Sequence, residues 1–448
     1  MQKIALPAGC KDLAAYLDRP IYIVGGYVRD SLMSFLPHDV DLTGDFDPSE
    51  LSKLPRERFL VKETSKKLLT NKIIDRTYGT EYEFTSFRVD SYADGKHSPD
   101  EVKRTGDIVA DALRRDFRAN AVYYDVKKEE LVDPIGGIGD VEKKILVMTR
   151  ENTFCEDGLR LMRLCRVAAE TGFSVEEKTM EAAKKNRRAI ADISPERIRD
   201  ELDRILVADT RYGVEDGHYR GLRLLDEVGV FEQILPEIAL GKDMPQRPDF
   251  HKYDVQEHMF RTVYFSAPEV RLAALLHDCA KPYCKKVNDN YKNHDVEGER
   301  ICEEIMTRLR YSNDKIRETK RLVRLHMYDL KCDAKENTVR VFIQQNADIL
   351  QKLLLVKQAD YLGGGLTAGT APGVKKMTRI YEEMVSDGVP FSVKDLLVDG
   401  HDLEELGVPE TMRAEALKAL LRECALTDTP YKDRASQKKF LAKFAEQA

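Results

Sequence analysis

The sequence has no apolar run approaching the roughly 18 residues needed to span a bilayer. Its opening, MQKIALPAGC, lacks a basic start followed by an apolar core, so a signal peptide is not expected. Secretion and membrane insertion are set aside, and a cytoplasmic location is expected. No C-x-x-C pair occurs among the eight scattered cysteines, which argues against a zinc ribbon or a disulfide scaffold and fits a reducing compartment. Strong charge of one sign is missing too: 72 bases against 78 acids leave −6, so bulk electrostatics do not point to a nucleic-acid partner, although a local basic track would suffice for one. There is no internal repeat and no low-complexity tract. Tryptophan is absent, which excludes nothing.

What is present is length: at about 100–200 residues per domain, 448 residues imply two to four domains. The first 150 residues carry short strand patterns at IYIV (21–24), HDVDL (38–42), EYEFTSFRV (81–89), AVYY (121–124) and ILVM (145–148). From about residue 154 the period becomes helical, with Leu161, Leu164, Cys165 and Ala168 on one face and Ile198, Leu202, Ile205 and Leu206 on another. GKDMPQRPDF (241–250) and TAGTAPG (367–373) interrupt that pattern and suggest boundaries. The closing YKDRASQKKFLAKFAEQA reads as a solvated terminal helix.

The first chemical constellation is VGGYVRD (24–30) followed by HDVDL (38–42). Glycine at a strand end lets backbone approach a ligand closely, and helix-start N–H groups favour anions. Asp39 and Asp41, two apart on an expected strand, project to one face. Paired carboxylates repel unless cations lie between them, and hard oxygen donors suit Mg²⁺. Glu83 is the expected third carboxylate on the neighbouring strand, with Glu81 as its fallback. Taken alone, Asp-x-Asp is more often a pair of turn aspartates.

Six segments in series resemble the class II tRNA nucleotidyltransferase and bacterial poly(A) polymerase family: GGxVRD, Asp-x-Asp-Leu, E-x-T-S-F-R, RRDF-x-x-NA (114–121), EDGLRLMRLCRVAAETGF (156–173) and ISPERIRDEL (193–202). The resemblance implies Mg²⁺ at Asp39 and Asp41, with Glu83 assisting catalysis. It implies a nucleotide held by Gly25, Gly26, Arg29, Arg114, Arg115, Asp116 and Asn120, with Asp30 bracing the glycine loop. Arg118 departs from the threonine usual at its position. Asp157 and Arg160 match the pair that reads the incoming base, with Arg163 beside them. Lying i, i+3 on a helix, a carboxylate and a guanidinium can accept from the amino group and donate to the ring nitrogen shared by cytosine and adenine. An intrahelical ion pair is the plain alternative. The loop SYADGKHSP (91–99) resembles one found in enzymes that add the final A. Arg187, Arg188, Arg197, Arg199 and Arg204 could line a phosphate track or simply form a solvated face.

A second constellation gathers five of the nine histidines between 251 and 326. LAALLHDCAKP (272–282), with His258 ahead and Asp360 behind, resembles an HD-domain metal quartet: His258, His277, Asp278 and Asp360. His294 and His326 sit where two-metal versions place extra ligands, Lys281 completes H-D-x-x-K, and His251 reads as a surface or capping residue. This implies a second divalent metal at the HD site. FSVKDLLVDGHDLEELGV (391–408) is similar to the tail of such proteins, but continues as PETMRAEAL rather than with a Gly-rich turn.

The expected architecture is α+β. A nucleotidyltransferase-type α/β head (1–146) would be followed by an elongated all-helical remainder. That remainder comprises a neck and body carrying the base-reading helix and tRNA contacts (147–245), an HD-type helical domain (246–375) and a helical tail (376–448). The implied activity is template-independent addition of CCA to the tRNA 3′ end from CTP and ATP, with release of pyrophosphate. The alternatives are a partial adder of A or CC, a poly(A) polymerase, or an HD-type phosphohydrolase whose head only binds nucleotide or RNA.

Overall fold

The structure, a computed structural model, describes residues 4–37, 39–91 and 101–445. The chain forms two compact units, 1–239 and 240–448. No helix among the described residues is long and apolar enough to cross a membrane.

The first unit opens with α1 (Cys10–Ala15), β1 (Tyr22–Val24), α2 (Gly26–Leu32), β2 (Val40–Gly44), β3 (Phe59–Ser65), β4 (Thr70–Asp75) and β5 (Glu81–Ser86). It continues with β6 (Arg88–Ser91), β7 (Glu101–Arg104), α3 (Ile108–Leu113), β8 (Tyr123–Asp125), β9 (Glu130–Val132), α4 (Gly137–Glu142) and β10 (Ile145–Leu146). Seven strands make one sheet in the order β3-β4-β5-β2-β1-β8-β9. β2 and β5 run parallel, and the other neighbours are antiparallel. Side chains alternate across the pleat. Ile23, Leu42, Phe84 and Tyr124 enter the main core, while Val24 and Tyr123 face the other way with Phe87 and Ala112. The register sets Val24 opposite both Asp41 and Tyr123, and Asp41 beside Glu83. The carboxylates therefore stand on the sheet face away from the main core.

Several expectations shift in detail. Asp39 lies just before β2 rather than in it and is exposed, whereas Asp41 is within the strand. The expected strand over 81–89 is broken at Phe87 into β5 and β6, and β8 starts at Tyr123 because Arg118–Asn120 form a 3₁₀ turn. β3 and β4 were not expected; β3 keeps only Phe59 fully buried, so its pattern carries little alternation. The loop expected at 91–99 falls largely outside the described residues; β6 and β7 form a two-stranded ribbon at its base.

The rest of this unit is helical: α5 (Thr153–Glu156), α6 (Leu159–Thr171), α7 (Glu177–Lys185), α8 (Pro195–Leu206), α9 (Asp209–Tyr212), α10 (Gly217–Val228), α11 (Phe231–Ile234) and α12 (Pro236–Ala239). β11 (Ser174–Val175), also not expected, pairs parallel with β10 and ties the helices back to the head. α6 is buried on nearly all sides, including Arg160, Arg166 and Glu170, so its charges must find partners in the interior.

The second unit is all helical: α13 (Val255–Phe265), α14 (Arg271–Leu276), α15 (Lys281–Asn288), α16 (His294–Arg308), α17 (Asn313–Leu325), α18 (Glu336–Gln345), α19 (Leu350–Gly363), α20 (Pro372–Ser386), α21 (Gly400–Glu405), α22 (Glu410–Cys424) and α23 (Arg434–Ala445). α13 and α19 pack side by side, and α19 stops in the Gly363–Gly365 run, where Gly365 has φ +75°. PETMRAEAL forms the start of α22 with Pro409 as its N-cap, and the terminal helix expected from the sequence is α23.

Arg118, the departure from the family pattern, has a structural role. Its guanidinium makes two 2.7 Å bonds to the buried Asp140 of α4. Its carbonyl lies 2.1 Å from where a Cβ on Gly137 would sit, so the turn and α4 meet backbone to backbone. Arg118→Ala would leave Asp140 buried and unpaired. The expected outcome is a loss of about 1–3 kcal/mol in urea unfolding.

Candidate active site and metal centre

A cavity of about 730 Å³ opens in the first unit. Gly25, Gly26, Arg29, Asp39, Asp41, Arg114, Arg115, Asp116, Asn120, Asp157, Arg160 and Arg163 all line it, so residues up to 138 apart in sequence meet there. Glu83 is exposed beside Asp41 and is not among the lining residues. Glu81, its fallback, is bound to Lys72 at 2.6 Å. Eleven cationic side chains line the cavity against six acidic ones, an excess that suits a triphosphate.

The glycine loop positions the aspartates. Gly25 has φ +79°, and a Cβ there would lie 2.9 Å from Asp41 Oδ2. Only glycine allows that backbone turn and that approach together. Burial raises the Asp41 carboxyl to about 6; Arg115 and Arg163 oppose the rise, and Glu83 and Asp39 add to it. An acid held up by burial and by neighbouring acids is a carboxylate short of positive charge. The all-oxygen donor set of Asp39 and Asp41 therefore fits a hard divalent cation.

Most of the arginines are already engaged. Arg29 is buried, pairs with Asp30 at 2.6 Å and donates to Asn120 Oδ1 at 2.7 Å. Asn120 donates to Asp116, which also accepts from the Phe117 N–H and from Arg163 at 2.6–2.8 Å. Burial opposes ionisation of Asp116, but Arg163 and these hydrogen bonds hold it well below the usual carboxylate range. Arg114 and Arg115 both bind Asp111, which sequence reasoning missed; its i, i+3 and i, i+4 spacing to them was the available signal. Burial opposes ionisation of Asp111 too, yet Arg115 and Arg114 carry it down to about 2.

Asp157 and Arg160 do not share a helix as expected: Asp157 lies in extended backbone between α5 and α6, and the two side chains do not form the ion pair that was the plain alternative. Asp157 caps the Leu159 N–H and meets the half-exposed Arg197 at 3.3 Å. Arg160 donates to the carbonyls of Thr153 and Arg114 at 3.0 and 2.5 Å, with Glu156 at 3.4 Å. Of the suggested phosphate track, Arg197 and Arg204 line the cavity. Arg187 instead meets Glu232, and Arg199 pairs with Asp200.

The second unit assembles the histidine quartet. His258 Nε2 lies 3.0 Å from Asp360, 3.3 Å from Asp278 and 3.1 Å from His277 Nε2. His294 Nε2 approaches the other Asp278 oxygen at 3.3 Å, and His326 Nε2 approaches it at 3.9 Å. The Nδ1 atoms of His277, His294 and His326 each face a backbone carbonyl at 2.6–2.7 Å. Those carbonyls can only accept, so each Nδ1 carries the hydrogen and each Nε2 presents a lone pair. Three bare nitrogens thus converge on two carboxylates. Both Asp278 oxygens and His294 Nε2 are buried without a hydrogen bond of proper geometry, although Lys281 lies 2.6 Å from Asp278. This donor set fits one or two divalent ions, with His277 and Asp278 common to more than one triad. Without one, a proton takes the place: burial opposes it, but Asp278 and Asp360 carry His277 up to about 10. Lys357, pushed down to about 8 by burial, braces the backbone carbonyls of His326 and Tyr328. The surface reading of His251 is corrected. Its ring lies 4.5 Å from that of His258, and its Nδ1 is buried without a partner.

Three family models match in series: a Poly A polymerase head domain over residues 21–147, a probable RNA and SrmB-binding site of polymerase A over 172–240, and an HD domain over 255–362. The chain thus carries, in order, the head, RNA-binding and HD domains that mark the tRNA nucleotidyltransferase/poly(A) polymerase family. It is 29% identical to the CC-adding tRNA nucleotidyltransferase of Thermus thermophilus, covering 92% of this chain and 91% of that protein. A CCA-adding enzyme of Lactobacillus delbrueckii is 35% identical, over 45% of this chain and 50% of the relative. The fold matches the crystal structure of Bacillus stearothermophilus CCA-adding enzyme in complex with CTP, with a TM-score of 0.65, 20% identity and 99% of each chain covered. The family is divalent-metal dependent.

Two outcomes follow from these charges. An Asp41 carboxyl raised from 3.8 to about 6 destabilises the metal-free fold as pH rises through that interval, and the full penalty is present above it. Asp41→Asn should therefore stabilise the metal-free protein at pH 7.5 by up to about 3 kcal/mol in urea unfolding while abolishing nucleotide incorporation. At the histidine cluster, dialysis against Mn²⁺ followed by elemental analysis should leave bound metal that Asp278→Ala loses, with nucleotide incorporation retained.

Proposed function

We propose that this protein adds the 3′-terminal CCA of tRNA without a nucleic-acid template, drawing on CTP and ATP. The observation that carries this reading is one cavity lined by the Asp39/Asp41 pair, an arginine-rich wall and the Asp157/Arg160 pair. In the reaction the tRNA 3′-oxygen bonds to the α-phosphorus, the bond to the β-phosphate bridge breaks, and pyrophosphate leaves. Mg²⁺ held by Asp39 and Asp41 would lower the hydroxyl pKa and neutralise the departing pyrophosphate. Gly25 and Gly26 let the phosphates approach the backbone, and the cationic wall holds them.

Base choice rests on Asp157 and Arg160. The weak, half-exposed contact with Arg197 yields to the amino group of cytosine or adenine. Arg160, fixed by two backbone carbonyls, presents its remaining donor edge to the ring nitrogen. Uracil and guanine bring a carbonyl to Asp157 and leave its charge unpaired, a penalty of about 1–3 kcal/mol.

A second reading, addition of CC alone, is favoured by one observation. The relative matched over 91% of its length is a CC-adding protein, while the CCA-adding relative is matched over 50%. The histidine cluster supports a separate activity, hydrolysis of a phosphoester by water on a divalent metal.

The test offers tRNAs ending before CCA, after C and after CC, each with one labelled nucleotide at a time. Full addition gives C, C and A in turn. Failure of A on the third substrate selects the CC reading, and repeated A on any end selects a poly(A) polymerase. No incorporation at all rejects the family of readings. Asp157→Ala should bring UTP and GTP incorporation to within about tenfold of CTP and ATP. Undiminished discrimination would remove Asp157 from base reading.

A further inference from the structure

The glycine-loop carboxylate Asp30 is almost fully buried, and its two oxygens are served by different parts of the chain. Oδ1 accepts from Arg29 Nε at 2.9 Å and from Arg29 Nη2 at 2.6 Å. Oδ2 accepts from the hydroxyl of Tyr212 at 2.6 Å, across 182 residues. Arg211 approaches the same oxygen only at 3.7 Å. Tyr212 closes α9, within the segment matched as an RNA-binding site, and its ring packs 5.0 Å from Phe35. No sequence motif marks it.

We propose that Tyr212 is a positioning residue for the nucleotide cradle: its hydroxyl fixes the Asp30 carboxylate, which fixes Arg29, whose free arm holds Asn120. The inference rests on the reading of this cavity as the nucleotide site. Arg29 is a long side chain that loses rotamer freedom only when its fork is gripped. Both of its contacts to Asp30 fall on one oxygen, so Asp30 is free to rotate unless the other oxygen is held. Tyr212 supplies that hold and also lies 3.3 Å from Arg29 Nη2. Arg29 Nη1 then meets Asn120 Oδ1 at 2.7 Å, Asn120 meets Asp116 at 3.0 Å, and Asp116 meets Arg163. These links run in series, so slack at Tyr212 reaches the cavity wall. A hydroxyl contributed by the helical segment thereby sets the geometry of groups contributed by the head.

Tyr212→Phe removes the hydroxyl and keeps the ring against Phe35. Equilibrium dialysis with Mg²⁺ and no tRNA should show the CTP and ATP dissociation constants rising together by about three- to tenfold. The preference over UTP and the KM for tRNA should stay within about twofold, while the melting temperature falls by about 2–5 °C as buried Asp30 loses one partner. In an Asn120→Ala background the same change should add less than about twofold, because the series is already cut. Unchanged nucleotide binding, a lowered melting temperature with unchanged binding, or full additivity with Asn120→Ala would each overturn the proposal. If the unaltered protein bound neither CTP nor ATP, the reading of the cavity would fall and this inference with it.

Discussion

Charge removed from water must be matched atom by atom, and that constraint governs both chemical centres of this chain. Burying an unpaired carboxylate or guanidinium costs several kcal/mol, so a fold that carries many of them inside must supply partners in fixed directions. α6 is the clearest case. It is buried along nearly its whole length yet holds Arg160, Arg163 and Arg166, and each is tied to an acid or a carbonyl from another element. The helix cannot be placed wrongly without stranding a charge. Its position relative to the sheet, and with it the shape of the cavity, follows from that matching.

The two centres leave opposite deficits. At Asp41 the donors are hard carboxylate oxygens beside other acids, and the surrounding arginines spend most of their hydrogen bonds on Asp111, Asp116 and Asp30. What remains short is a compact cation. At Asp278 the deficit lies in direction as well as charge. Three imidazoles have their Nδ1 hydrogens committed to carbonyls, so their Nε2 lone pairs point at one another and at carboxylates. Nitrogen donors with oriented lone pairs favour a transition metal more than magnesium. The same physics, applied to different ligand atoms, separates the chemistry available to the two units.

How far this was legible in the sequence depended on where each partner lies. Gly25, Gly26, Asp39 and Asp41 were readable because their geometry is local: a strand end, a turn, and side chains a fixed number of residues apart. His258, His277 and Asp278 were readable because the HD segment is an apolar helix end with a distinctive dipeptide. The β3–β4 hairpin was not, since much of β3 is exposed and its polar residues blur the alternation. Tyr212 and His251 were not, because their significance comes only from what packs against them, Asp30 across 182 residues and the ring of His258. Asp111 lay between these limits. Its spacing to Arg114 and Arg115 was visible, but two arginines without their acid already made a phosphate site seem complete.

The degree to which the arginines are pre-engaged explains how a protein could choose a base with no strand to copy. A flexible, unpaired guanidinium would adjust to any hydrogen-bond acceptor and discriminate little, because reorienting it costs almost nothing. Arg160 is instead held on two backbone carbonyls, with Glu156 behind it. Asp157 is pinned through one oxygen by the Leu159 N–H, leaving the other on a weak, displaceable contact. Fixed donors and acceptors turn a mismatch into an unpaired, partly buried charge, and that penalty would supply the base selectivity proposed for this pair. Rigidity of the two side chains has to come from outside the pair, since they do not bind each other. It comes from α5, from the Arg114 carbonyl in the head, and from the Arg163–Asp116 and Arg166–Glu201 ion pairs that seat α6.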